Sequence, residues 1–321
     1  MRRLKGYLFV LLSLLILLPA FSNPLASFRI RKIGKAPNFI ALSPDGKKIY
    51  ATSYGTDELI GVDLTQKMVT QMIEVGSHPL GLAIADQGKT ALVACRDSGT
   101  IAVVDLDASH VVADIKVGGL PNSIAISPKG YRAYATNYGR TAQGQLHIID
   151  LRERSVLATI KMGVSPFALA VSPVTELVYV VMGGSNEVWV VDPGRQVVVS
   201  KIPVGDGPDG IAITPDGKRV FVANSQTNDL SVIDTQLKSV LVTIPVGKMP
   251  FGVTVTPDGK RVLVVNSASR TVSILAADLS SLDVETFEVD RGPTDVKVGP
   301  DSRTAYVINE LSNSLVVTEL P

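Results

Sequence analysis

Three histidines, a single cysteine and one run resembling a phosphate-binding loop are the residues of this 321-residue chain whose types suggest chemistry. The histidines are His78, His110 and His147, and the cysteine is Cys95. No C-x-x-C-H motif is present, so covalent c-type haem is excluded. His78 is the one candidate axial ligand for a non-covalent haem, although a plain loop histidine suits its position better. The spacing scatters the three histidines, which argues against a three-His metal site. Residues 83–90 (Ala-Ile-Ala-Asp-Gln-Gly-Lys-Thr) fit a relaxed phosphate-loop pattern. That chemistry needs a helix N-terminus behind the loop, and this segment reads as strand–turn–strand. There is no G-x-S-x-G elbow. Cys95 reads as a small buried strand residue, since a lone cysteine cannot form an intramolecular disulfide. Asp63, Asp105, Asp150, Asp192 and Asp234 each end an apolar strand, so they read as turn caps rather than acid–base pairs.

The elements that position these residues come from an internal period. Proline recurs at 37, 79, 121, 166, 208, 250 and 293, at intervals of 42, 42, 45, 42, 42 and 43. Gly34, Gly76, Gly118, Gly163, Gly205 and Gly247 precede the first six by three residues, and Asp290 takes that place in the seventh. Each unit then runs as an apolar strand, a turn such as Pro215-Asp216-Gly217, and a second strand ending in an Asn-like position. A third strand of Val-Ile-Asp type and a fourth apolar strand complete it. The proline sets φ for the turn and the glycine accepts positive φ. Four short strands per roughly 42 residues is the unit of a propeller blade. The expected fold is therefore all-β, a seven-bladed β-propeller with four-stranded antiparallel blades. The seventh unit lacks a fourth strand, and residues 27–33 supply a spare one; this N-terminal strand is expected to close the last blade and remove the open edge.

Arg2, Arg3 and Lys5 ahead of the apolar run 7–18, then Ala20-Phe21-Ser22, read as a signal peptide over residues 1–22. The apolar run is too short to span a bilayer. The propeller is assigned to 27–321 as a single domain, with no transmembrane span after signal removal. The formal charge of +1 becomes −2 when these three positive charges leave (1 − 3). That balance disfavours nucleic-acid binding.

The motifs Tyr134-Ala135-Thr136-Asn137, Val222-Ala223-Asn224, Val264-Val265-Asn266 and Val307-Ile308-Asn309 resemble the Tyr-Val-Thr-Asn signature of the YVTN β-propeller repeat family. The repeat pattern covers residues 31–318, with departures at Val180-Val181-Met182 and Val93-Ala94-Cys95. The resemblance implies a propeller like bacterial periplasmic and surface-layer YVTN proteins. More distantly, it implies one like those of quinoprotein amine dehydrogenases and the cytochrome d1 type. Such relatives bind partners, nucleic acid or redox cofactors, and fold alone does not choose among them.

Function is therefore sought where the repeat breaks. The Gly-x-x-Pro loop and the loop after the Asn position should share one face of each blade. Residues there that escape the repeat are Tyr54, Asp57, His78, Arg96, Asp97, Asn137, Tyr138, Arg140, Gln143, Asn186, Gln226 and Glu310. The third unit is longer, with the excess in 138–145. Next to the channel mouth, the residue after each proline varies: Asn38, Leu80, Asn122, Phe167, Asp209, Phe251 and Thr294. The candidate ligand or partner residues are Tyr54, His78, Arg96, Asn137, Tyr138, Arg140, Gln143, Asp209, Gln226 and Glu310. The reading that results is an exported, monomeric, non-catalytic binding module, periplasmic or at the cell surface. It takes a protein or small ligand, with no catalytic residue, metal or cofactor predicted. The alternatives are an enzyme or enzyme subunit of propeller lactonase, lyase or quinoprotein/haem type and, below it, a single-stranded nucleic-acid binder.

Overall fold

The structure, a computed structural model, describes residues 27–138 and 143–320. The signal-peptide segment 1–22 and Arg140 lie outside the described residues. Among the described residues the strands form seven four-stranded antiparallel sheets. The innermost strands are Pro37–Leu42, Pro79–Ala85, Pro121–Ile126, Pro166–Val171, Pro208–Ile213, Pro250–Val255 and Pro293–Val298. They belong to blades 1 to 7 in chain order and lie one against the next around the central channel. No helix among the described residues is long and apolar enough to cross a membrane.

Apolar seams between neighbouring blades hold the ring. Among the described residues there are seven buried clusters, and each takes residues from two adjacent blades. Tyr50, Leu59 and Ile73 of blade 1 meet Val93, Ala102 and Leu106 of blade 2. Ile40, Ile49 and Ile60 of blade 1 meet Ile308, Leu315 and Val317 of blade 7. This explains why the second and third strands are apolar on both faces, as in Arg219–Asn224 and Asp229–Asp234. The outer strands alternate instead, as in Ser239–Pro245, because one face meets water.

Within a blade the turns behave as their residues require. Gly46 sits at φ +70° in the Pro44-Asp45-Gly46 turn. Ser43 Oγ and the Lys47 amide donate to Asp45 Oδ1 at 2.6 and 3.1 Å. Thr214–Asp216 and Thr256–Asp258 repeat the arrangement. These bonds hold all three carboxyls below the usual aspartate range. Asp63, Asp105, Asp150, Asp192 and Asp234 accept from backbone amides two or three residues on, as expected of turn caps. The phosphate-loop look-alike is a strand–turn–strand, with only a short 3-10 turn at Asp86–Gly88 between Pro79–Ala85 and Thr90–Cys95. Cys95 is fully buried, and burial above all pushes its thiol up to about 11.

Closure is as the repeat count requires. Ser27–Arg31 pairs antiparallel with Ser314–Glu319, Ser27 opposite Thr318 and Arg31 opposite Ser314. Asp290, the one departure from the Gly-x-x-Pro pattern, accepts from Arg29 Nε at 2.9 Å and Ser314 Oγ at 2.7 Å. Burial acts to raise the Asp290 carboxyl, but the Ser314 hydroxyl and Arg29 together hold it below the usual range. The join continues inward. Asn313 Oδ1 accepts from the Ala36 amide, Thr294 Oγ1 donates to Asn38 O, and Asp295 Oδ2 accepts from the Ile40 amide.

Ile30 and Ile33 are both buried in the blade 1–blade 7 seam. A variant lacking residues 27–33 is expected to melt about 10 °C lower, since two buried aliphatic side chains and a paired edge are lost at about 1.5–3 kcal/mol per side chain. An unchanged melting temperature would refute the closure. Asp290→Ala should cost about 1 kcal/mol at pH 7. Because the carboxyl is held ionised below its ordinary range, that cost should vanish as pH falls below 4; denaturant titrations of both proteins across pH read it out.

Candidate functional site

Two rings of side chains build the mouth of the channel. The inner ring is the residue after each proline. In blades 1–6 the inner strand has a register irregularity between the proline and the residue three positions on, such as Pro121–Ile124 against Asn137–Ala135. The extra residue of such a bulge re-aims the side chains beside it. As a result Asn38, Leu80, Asn122, Phe167, Asp209, Phe251 and Thr294 all line one cavity of about 300 Å³.

The outer ring is the residue after the Asn position. In every blade its amide donates to the carbonyl of the residue before the proline. These bonds run from Tyr54, Arg96, Tyr138, Gly183, Ser225, Ser267 and Glu310 to Ala36, His78, Leu120, Ser165, Gly207, Met249 and Gly292. The two loops of each blade therefore share a face. Tyr54, Arg96, Ser267 and Glu310 join the same cavity. Tyr138, Gly183 and Ser225 line an adjoining groove of about 210 Å³, which shares Phe167 and Asp209 with the mouth and includes Gln226.

The loops are held rigid from beneath and from the side. A Cβ on Gly205 or Gly247 would come within 2.7 Å of Asn224 or Asn266, so in blades 5 and 6 the strand-end asparagine packs where only a glycine fits. Blade 7 has Asp290 there instead, and its Asn309 Nδ2 turns away to Val307 O and Ser314 O. The residue before the proline is left-handed in six blades, including the non-glycines Ala36, His78, Ser165 and Met249. Such backbone costs on the order of 1–3 kcal/mol and persists only where neighbours over-determine it. At four of these six positions the neighbouring blade does so. Asn313, Asp57, Asn186 and Asn228 accept from the amides of Ala36, His78, Gly207 and Met249 at 2.8–3.2 Å. Asp57 and Asn186 are thus stitches between blades.

Of the candidates from sequence, Tyr54, Arg96, Asp209 and Glu310 come together in the mouth. Tyr138 and Gln226 lie in the adjoining groove. His78 stands beside them. Its ring stacks on Tyr54 with centroids 4.4 Å apart, and its Nδ1 is 2.7 Å from Asp97 Oδ2. Gln143 is exposed and lines neither cavity. Asn137 is a correction: it is fully buried, and its Oδ1 accepts from the Leu120 amide while its Nδ2 donates to Gly118 O. Its side chain supports the loop from within the blade. The histidines are scattered as spacing implied. His110 is exposed at the start of an outer strand. His147 is buried between Asn137 and Thr159, and burial pushes it down to about 4.

Sequence reasoning missed the tier below. Phe39, Ala168, Gly210 and Gly252, two residues after their prolines, form the floor of the mouth and the roof of a second cavity of about 180 Å³. Variation at that position, as marked as at the position before it, was the available signal. The lower cavity reaches Asp295, where both carboxylate oxygens lie 2.8 Å from Lys297 Nζ. The charges deep in the channel are therefore paired. The mouth differs: among the described residues no hydrogen bond or ion pair engages the side chains of Arg96, Asp209 or Glu310. Burial alone pushes the Asp209 carboxyl up to about 7.

Comparison with known proteins agrees with the architecture. Residues 174–261, about a quarter of the chain, match the family model of the YNCE-like beta-propeller. Among solved structures the chain is similar to Kuenenia stuttgartiensis hydrazine synthase, at 23% identity and a TM-score of 0.82, over 91% of this chain and 97% of that one. At this identity the likeness speaks for the fold. No curated protein matches the chain significantly. As many as 1701 solved chains do, so the fold by itself selects no activity. The resemblance to the YVTN and quinoprotein amine dehydrogenase-like propellers stands.

A raised carboxyl means that the folded protein keeps a proton that the unfolded chain releases near pH 4. Wild-type stability is therefore lost as pH rises from 4 through 7, while Asp209→Asn has no such proton. The stability gap between Asp209→Asn and wild type should widen between pH 4 and 8 by on the order of 2 kcal/mol, after allowing for partial exposure. A gap that does not change with pH would contradict the desolvated mouth.

Proposed function

We propose that the protein is a non-catalytic binding module that receives a small ligand, or a projecting segment of a protein, in the mouth of its channel. One observation carries this reading. The positions freest to vary between repeats converge on a concave site with a largely apolar surface and three ionic groups whose side chains have no partner among the described residues. Burying polar groups unpaired is costly, and structural needs elsewhere are met by pairing, as at Asp295 and Lys297. Concave, mostly apolar pockets with a few convergent polar groups are the usual form of small-molecule sites. The mouth is preformed, because every loop that builds it is bonded to its own blade and several are bonded to the next. Preformed sites lose little ordering entropy on binding.

The site would work outside the cytoplasm. Arg2, Arg3 and Lys5, the apolar run and Ala20-Phe21-Ser22 support export with removal of residues 1–22.

Ala168→Phe tests the binding reading. The equivalent position of blade 1 is Phe39, so the repeat accepts this side chain while it fills the mouth. Saturation-transfer NMR against a panel of small metabolites is expected to find binders of the wild type that lose at least tenfold in affinity for Ala168→Phe, with its melting temperature retained. Identical binders for both proteins would place any binding elsewhere and overturn the reading.

A further inference from the structure

We infer that the mouth holds a small zwitterion with an apolar body, its cationic group set against Asp209 and its anionic group against Arg96. The inference rests on the binding reading above and names its ligand class. Arg96 stands on blade 2 and Asp209 on blade 5, as far apart as a ring of seven allows. The two opposite charges would neutralise each other if they met, as Asp295 and Lys297 do lower down. The rigid ring keeps them on facing walls of one cavity, and neither finds another partner among the described residues. The same cavity offers an apolar surface from Leu80, Phe167 and Phe251, alternating with the uncharged polar Asn38, Asn122 and Thr294.

A ligand that spans the cavity and carries both charges satisfies both walls at once. A simple cation leaves the Arg96 guanidinium unpaired, and a simple anion does the same to Asp209. Charge-assisted bonds are stronger than neutral ones, so each matched charge should add affinity. Glu310 on blade 7 adds a second carboxylate, so a cation should still outrank an anion. The volume, about 300 Å³, is at the lower end of small-molecule sites and suits an amino acid or a dipeptide.

The measurement is calorimetric titration at pH 8, where Asp209 is ionised, with four compounds sharing one apolar body. They are phenylalanine, phenethylamine, 3-phenylpropionate and 3-phenylpropanol, with phenylalanylglycine as a longer zwitterion. One of the two zwitterions is expected to bind at least tenfold tighter than the alcohol and tighter than either single ion. Asp209→Asn should weaken that zwitterion and the amine about tenfold and leave the propionate and the alcohol unchanged. Arg96→Gln should weaken the zwitterion and the propionate and spare the amine. If both zwitterions bind no tighter than the alcohol, or the two substitutions act alike on all ligands, the inference is overturned. Binding of the alcohol to wild type but not to Ala168→Phe would then preserve the binding reading while removing the zwitterion. If none of the five compounds binds, the inference also fails, and the binding reading still rests on the metabolite panel. Melting curves at pH 6 confirm that both substituted proteins fold.

Discussion

Apolar contact between neighbouring blades is the interaction on which everything else rests. Each sheet is apolar on both faces of its middle strands, so no blade is stable alone and each needs two neighbours. In an open row the first and last blades would each expose a face and an edge. The ring removes both, and the seam of Ile40, Ile49 and Ile60 against Ile308, Leu315 and Val317 is where it does so. The strand Ser27–Arg31 completes the sheet at that seam, which brings the described ends of the chain together.

A closed ring then dictates where function can sit. The outer strands meet water with alternating side chains, and a cavity of about 320 Å³ away from the channel is shared by only two blades, 2 and 3. The channel is the one place where all seven blades converge. There the backbone is held tightly: glycines at 81, 210 and 252 leave no room for a Cβ against the next inner strand. The scaffold so fixed leaves the residues after the prolines and after the Asn positions free to differ. Their charges end on separate walls because the blades that carry them cannot approach. An unpaired carboxyl such as Asp209 is a cost that the seams can carry, and strained or unsatisfied groups are where stability is commonly given up for binding.

Much of this architecture was legible in the residues. The proline period counted the blades, and the turn chemistry of Pro44-Asp45-Gly46 and its equivalents located the strands. The missing seventh fourth strand pointed to residues 27–33. The repeat also gave the inner ring of the mouth, because variation at an otherwise regular position marks a side chain that packing does not dictate. What escaped were interactions between units. Asp57 and Asn186 looked like free polar residues because their partners, His78 and Gly207, belong to the next blade. Asn137 looked like part of the site because sequence shows that a residue follows a strand, not which way its side chain turns. Asp290 stood in the sequence only as the seventh unit's replacement for the repeat glycine, and is the latch to Arg29 and Ser314. The contrast between a paired Asp295 and an unpaired Asp209 lies wholly in three dimensions.

The central claim is that ring closure creates a largely apolar mouth in which Asp209 stands without a partner among the described residues. The most direct test is the carboxyl 13C chemical shift of Asp209 followed by NMR across pH in the ligand-free protein. The account predicts a midpoint near 7, set by burial. A midpoint near the ordinary aspartate value of about 3.9 would show a solvated or already paired carboxyl, and would contradict it.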